Sequence, residues 1–469
     1  MTQSKLQIQF NEEWLYPLKL LKETSLNFLE SCFNSDDNGV CASRNFPDGF
    51  KDESDTWCTA SATYLLLKFK PESQYIKGGI EYLINCIKKD RLSRTITEDD
   101  LIITKAVCYS ILSFVEYLKQ FDTDLTLEVE KKFNVLLDWI SKTKIEELDS
   151  CSWGYGEKIT SGKRRGYMKA ESNIISTSAV ILVLCKAFNI SDHVADQNNL
   201  KTNIKHGLKY LIENHIIDDK EKIGYWKIFP HRELHIEENY EIGATAYAVL
   251  SLIESLELKK PILDKIQIGK IHEIIKNSIN FLRKNIKEEG GWDEIGNLFQ
   301  GFTFNNETDA RMSYFISPHV LKAIAKSIKL KIISVNEEEW KGIQKLTLLY
   351  FLKNIESYDD HSHYIKFSNV NVWPTRDLIL GIDEIDDEWD LNYLREIFLR
   401  FKPMKRVKKS NIWKKLSIIF LNLFISSTIT SILVLFRVDF ITIITTVIPT
   451  LIPAIILSLI KIPEEKDED

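Results

Sequence analysis

No CxxC pair occurs in the 469-residue chain, no apolar leader opens it, and no basic excess runs through it. The seven cysteines (Cys32, Cys41, Cys58, Cys86, Cys108, Cys151, Cys185) have no regular spacing, which excludes a cysteine framework and points to reduced, buried thiols. Met1 to Phe10 contains no apolar run long enough for a signal-peptide core, so the folded part is expected in the cytosol. Lys and Arg number 61 against 67 Asp and Glu, a formal charge of -6. A chain without a basic field is not expected to bind nucleic acid. Alternating strand patterns are scarce as well.

What is abundant is helical periodicity. Apolar residues recur at helical spacing in Leu65 to Phe69, Val107 to Leu118, Ile174 to Leu184 and Ala246 to Leu256, which predicts an all-α domain. An aromatic residue returns at Phe28, Tyr82, Trp139, Tyr210, Phe281 and Phe351, at intervals of 54 to 71 residues. Each opens a unit with one plan: an amphipathic helix, a polar loop, then a second, more apolar helix. Most loops carry a tryptophan (Trp57, Trp153, Trp226, Trp292, Trp373), and the second helices open on small and hydroxyl residues such as Ser176-Thr177-Ser178-Ala179 and Gly243-Ala244-Thr245-Ala246. Small side chains let helices approach closely. Six hairpins closing into a ring, second helices inside, would bury every apolar face.

After residue 395 the pattern changes. A basic linker over 396–415 precedes two uncharged stretches of 21 residues, Leu416 to Phe436 and Phe440 to Ile460, and an acidic tail over 463–469. At about 1.5 Å per residue each stretch reaches across a bilayer core, and the basic cluster predicts a cytosolic linker. The expected protein is an α/α toroid over 10–395 followed by a transmembrane helical hairpin over 416–462. It would be held on a lipid bilayer with its N-terminal domain in the cytoplasm. The sequence does not determine the oligomeric state.

In the fourth unit Gly207-x-x-Tyr210-x-x-x-Asn214 is followed by Gly224-Tyr225-Trp226, and in the fifth Phe281-x-x-x-Asn285 by Gly290-Gly291-Trp292. These resemble the repeats of squalene and terpene cyclases and of protein prenyltransferase β-subunits, with asparagine where that family has glutamine. The resemblance implies an α/α toroid acting on an isoprenoid or other apolar substrate. In a protonating cyclase the acid would come from Asp52 or Asp55, in Asp52-Glu53-Ser54-Asp55-Thr56. Trp57, Trp153, Trp226, Trp292 and Trp373 would line the cavity and stabilise a carbocation. That chemistry needs no cofactor and no metal. Carboxylates at a helix start are ordinarily caps, and loop tryptophans ordinarily pack repeat against repeat.

Zinc, as prenyltransferases use it, would need ligands such as Asp149, Cys151 and His215, and Asp149 stands before the loop tryptophan, not at the inner helix. A thioester is excluded, because Gly154-Tyr155-Gly156-Glu157-Lys158 lacks the cysteine and glutamine. The alternative to an isoprenoid cyclase is a toroid without catalysis that binds or senses a ligand, with the hairpin as anchor or effector.

Overall fold

The computed structural model describes residues 17–41, 54–88, 101–154, 156–158, 172–231, 241–287, 291–292, 313–352, 355–359, 362–365 and 372–383. The chain divides into two compact units, Met1–Ile397 and Phe398–Asp469, and every described residue lies in the first. The expected linker, membrane hairpin and tail fall outside the described residues, as does Asp52. Among the described residues no helix is long and apolar enough to cross a membrane.

Twelve α-helices are described: α1 (Pro17–Ser31), α2 (Thr56–Phe69), α3 (Tyr75–Lys88), α4 (Thr104–Gln120), α5 (Thr126–Lys142), α6 (Ile174–Phe188), α7 (Gln197–Glu213), α8 (Glu241–Leu256), α9 (Lys265–Lys284), α10 (Ser313–Lys329), α11 (Glu337–Leu352) and α12 (Val372–Ile382). Each even-numbered helix packs against the next even-numbered one, and α12 returns to α2 and α1, so the inner ring closes. Each odd-numbered helix from α3 onward packs chiefly against the inner helix that precedes it, and α1 lies against α12 and α2. The six recurring aromatics all fall in the outer helices.

Residue pattern explains the two layers. On α3 the buried positions Ile76, Ile80, Leu83, Ile84 and Ile87 form a single stripe, as a helix with one wet side requires. On α2 every residue from Thr56 to Leu67 is buried, which suits a helix enclosed on all sides. The small residues of that segment permit close approach: Ser113 Oγ on α4 donates to the Ala60 carbonyl of α2 at 2.8 Å.

The expectation of an all-α body needs one correction. Short antiparallel ladders join outer to inner helices, including Ile145–Glu147 with Ser150–Ser152, Ile216–Asp218 with Ile223–Tyr225, and Ile355–Asp359 with Ser362–Ile365. Their strands are too short to show an alternating pattern, and they pair backbone groups that a long loop would leave unsatisfied.

At the C-terminal ends of the inner helices stand Lys68, Glu116, Lys186, Glu254, Lys326 and Asp383, one per helix or just beyond it and alternating in sign around the ring. Lys186 Nζ lies 2.5 Å from Glu254, whose other oxygen is 3.8 Å from Lys326. Asp383 meets Lys68 at 3.1 Å and Lys22 of α1 at 2.6 Å. Burial raises the Asp383 carboxyl, but Lys68 and Lys22 outweigh it and its pKa is lowered. This pairing ties the last helix to the first.

Candidate functional site

Three loop tryptophans occupy equivalent places. The backbone N–H of Trp153, Trp226 and Trp292 donates to a hydroxyl one turn into the following inner helix: Thr177 at 2.9 Å, Thr245 at 3.1 Å and Ser317 at 2.9 Å. Their indole N–H groups donate to outer-helix carbonyls, Ile140 at 2.8 Å, Leu211 at 2.7 Å and Leu282 at 2.6 Å. All three rings are at most 1% exposed. Each tryptophan therefore bolts an outer helix to its own inner helix. In the first unit the same hydroxyl position, Thr59, takes the N–H of Val40 at 2.8 Å.

The asparagines of the repeat motif close the outer helices, with the Asn214 and Asn285 amides donating to the Tyr210 and Phe281 carbonyls at 2.9 and 2.8 Å. Gly224 is required by close packing, since a Cβ there would sit 2.3 Å from His215 Nε2. Replacing Trp226 with phenylalanine should strand the Leu211 carbonyl and cost about 1–3 kcal/mol. Urea unfolding would register this loss, and the polar cluster described below should be unaffected.

Trp57 lies in the first turn of α2, 4% exposed, packed with Ile103, Ala106 and Tyr109. Trp373 lies in the first turn of α12. Asp55 is the N-cap of α2, where its carboxylate accepts the Cys58 N–H at 2.8 Å. Desolvation pushes its pKa from 3.8 up to about 6, against the pull of the Cys58 and Trp57 hydrogen bonds. A carboxyl raised in the folded state stabilises below its unfolded pKa and loses that contribution as pH rises through about 6. Asp55→Asn keeps the cap and removes the buried charge. It should therefore stabilise the protein at pH 7 by up to about 3 kcal/mol, with almost no difference at pH 3; parallel denaturant titrations at the two pH values check this.

Polar chemistry gathers elsewhere, in the first two turns of five inner helices: Ser61 on α2, Lys105 and Tyr109 on α4, Tyr247 on α8, His319 on α10, and Arg376 with Asp377 on α12. Arg376 grips Asp377 with two bonds of 2.7 Å, donates to Ser61 Oγ at 3.2 Å and lies over the Tyr109 ring at 4.4 Å. Tyr247 Oη is 2.8 Å from His319 Nε2, which is 3.5 Å from Asp377 Oδ1. Lys105 Nζ donates to Tyr247 Oη at 3.4 Å. The result is one chain of contacts, Lys105–Tyr247–His319–Asp377–Arg376.

Its far end is sealed, with His319, Arg376 and Asp377 buried, whereas Lys105, Tyr109 and Tyr247 stay partly exposed. Desolvation, then repulsion from Arg376, lowers the Lys105 ammonium to about 8. Burial likewise lowers His319, despite Asp377. Burial opposes ionisation of Asp377 too, yet Arg376 and His319 outweigh it and hold the carboxyl at about 2. The site thus offers an amine near neutrality, a phenol, a buried neutral imidazole and a carboxylate fixed in its charged form.

The candidate zinc ligands are engaged separately. Asp149 pairs with Lys209, Cys151 is buried with its Sγ 3.9 Å from the Asn203 carbonyl, and His215 lies tilted against Trp226 with ring centroids 4.5 Å apart. Among the described residues no group of three or more His, Cys, Asp or Glu is placed to hold a metal.

Sequence reading missed the polar cluster. Its signal was a set of charged or aromatic residues inside otherwise apolar second helices: Lys105, Tyr247, His319 and the Arg376-Asp377 pair.

No protein family matches the sequence, and no curated protein resembles it. Solved structures do share the fold. Cellobiose 2-epimerase from Bacillus thermoamylovorans B4167 aligns with a TM-score of 0.52 at 12% identity, covering 77% of this chain and 96% of its own. A sugar epimerase from a ruminal bacterium gives 0.55 at 12%, covering 78% and 98%. A possible member of the GH105 family from Salmonella enterica gives 0.50 at 11%, covering 81% and 94%. The likeness is one of fold, a mostly helical α/α toroid.

These neighbours correct the resemblance to terpene cyclases and prenyltransferases, and with it the isoprenoid substrate and the cyclase reaction. The repeat motif that carried the resemblance consists of bolts and helix ends, which any toroid of paired helices needs. The partly open face bears an amine and phenols, where a carbocation path would need an apolar, aromatic wall. The lipid bilayer expected as a partner finds no support either: among the described residues no helix is long and apolar enough to cross a membrane. The non-catalytic alternative gains no better support.

Proposed function

We propose that this protein is a carbohydrate-processing enzyme of the epimerase or isomerase type, rearranging a reducing sugar by proton transfer at the Lys105–Tyr247–His319 chain. The observation that carries this reading is the contact between Lys105 Nζ and Tyr247 Oη, itself 2.8 Å from a buried imidazole. A group titrating near neutrality is suited to give and take protons, and Tyr247 and His319 can carry a proton away from it. Sugar epimerases of the same fold support the substrate class.

Hydrolysis fits less well. A glycosidase of the usual kind needs two carboxyl groups across the scissile bond, one of them protonated. The described cluster has Asp377 alone, ionised and gripped by Arg376.

The test is incubation with cellobiose and a panel of monosaccharides in D2O, followed by NMR. Deuterium entering the carbon next to the anomeric centre, with a new epimer or ketose, is the expected result. Release of free sugar from glycosides without isotope exchange would replace the reading with hydrolysis.

A further inference from the structure

Lys105 stands apart from the lysines at the other end of the ring. Lys68, Lys186 and Lys326 are each held by a carboxylate at 3.1, 2.5 and 2.7 Å. Lys105 Nζ instead meets a phenol: Tyr247 Oη at 3.4 Å, with the ring centroid at 4.5 Å. Among the described residues no carboxylate lies within ion-pairing distance of it, and Arg376 adds a second cation to the same cluster. An amine desolvated beside another cation is the standard arrangement for attack on a carbonyl carbon.

We propose that Lys105 forms an imine with the open-chain carbonyl of the substrate, Tyr247 supplying the proton that expels water. This rests on the sugar-rearranging reading and names the means by which it proceeds. The Nζ lone pair forms the N–C bond while the carbonyl π pair moves to oxygen, and a proton then passes from the nitrogen to that oxygen to give a carbinolamine. The C–O bond then breaks as that oxygen takes a second proton from Tyr247 Oη and departs as water. Nζ now carries the double bond as an iminium, and Tyr247 is left as a phenolate. A carbon beside an iminium is far more acidic than one beside an alcohol, so the proton whose exchange is expected above passes to the Tyr247 phenolate and leaves an enamine, which is reprotonated after the phenol has exchanged with solvent. Hydrolysis of the imine returns the carbonyl and the free amine.

The geometry supplies each part. Lys105 is partly exposed as a residue, the proton donor touches its Nζ, and His319, 5% exposed, holds that donor from behind. The lowered pKa of Lys105, about 8, keeps a useful fraction of the amine uncharged at neutral pH.

The experiment traps the intermediate. Full-length protein is incubated at pH 7 with glycolaldehyde or glyceraldehyde as open-chain probes, together with sodium cyanoborohydride, whose hydride converts the iminium to a stable secondary amine. Peptide mass spectrometry then locates the adduct. Labelling of Lys105 at least about tenfold faster than of the average surface lysine is expected. Tyr247→Phe should slow it while leaving the lysine in place, and Lys105→Arg should lose both the adduct and the isotope exchange. Labelling of Lys105 no faster than surface lysines would overturn the proposal. If deuterium exchange persists in that case, the isomerase reading survives without the imine. An adduct at Lys105 in a protein that exchanges no sugar proton supports a carbonyl-capturing lysine and removes the sugar reading.

Discussion

Lys105→Met is expected to abolish sugar rearrangement, lowering kcat by at least about a hundredfold to ten-thousandfold, the usual range for losing a proton-transferring or covalent group. Folding should survive. Methionine matches the aliphatic stem of lysine, and removing a cation that burial disfavours should raise the melting temperature, or at least not lower it. Loss of turnover with undiminished stability separates a chemical role from a packing one. The pH dependence supplies a second readout. Lys105 has its pKa lowered to about 8, so the uncharged amine accumulates as pH rises through that value. In the wild type, kcat/KM should climb about tenfold per unit below pH 8 and level off above it. A profile flat from pH 6 to 9, or a methionine variant with wild-type turnover, would remove Lys105 from the chemistry. Sugar-dependent isotope exchange and calorimetry on the same preparations measure both quantities.

The second large effect is structural. Glu254 is 4% exposed and bridges Lys186 of α6 to Lys326 of α10 at the end of the ring away from the polar cluster. Glu254→Ala takes the buried counter-charge from Lys186 and leaves Lys326 to Glu257, and breaking a buried pair in this way typically costs about 3–5 kcal/mol. Lys186 and Lys326 retain some exposure, with 28% and 18% of their side chains open, which places the expected loss near about 3 kcal/mol. Exchanging Glu254 for leucine together with Lys186 for methionine should recover most of it, because the uncompensated charge disappears with its partner. Guanidinium unfolding at pH 7 checks both variants. A single alanine variant as stable as the wild type would show that the alternating collar holds nothing together.

Both ends of the ring obey one rule. Inner helices have no solvent face of their own, so a charged residue placed on one must find a partner or a purpose. At the C-terminal end partners are found: lysines and carboxylates alternate from helix to helix. At the N-terminal end Asp377 is used up by Arg376, and Lys105 is left against a phenol. That imbalance, not the identity of any single residue, sets the N-terminal end apart and is why the proposed chemistry is placed there.

Much of the architecture was legible in the chain. The recurring aromatics at Phe28, Tyr82, Trp139, Tyr210, Phe281 and Phe351 marked six outer helices, and the small, hydroxyl-rich openings marked the inner ones. Both rest on short-range physics: a helix with one apolar stripe lies on a surface, and one without a polar side is enclosed. The hydroxyls read as spacers are also acceptors, Thr177, Thr245 and Ser317 each taking a tryptophan N–H. The chemistry was not legible, because the tryptophans stand out by their spacing whereas Lys105 and His319 look like ordinary helical residues.

The sequence by itself determined the helix pairs, their number and their inside and outside members, because burial periodicity repeats within each unit and needs no distant partner. Only the tertiary structure decided the site. Lys105, Tyr247, His319 and Arg376 are spread over some 270 residues of chain and meet because closing the ring brings the first turns of its inner helices to one end. Whether a charge there is neutralised or left reactive depends on neighbours contributed by other repeats, which no local pattern encodes.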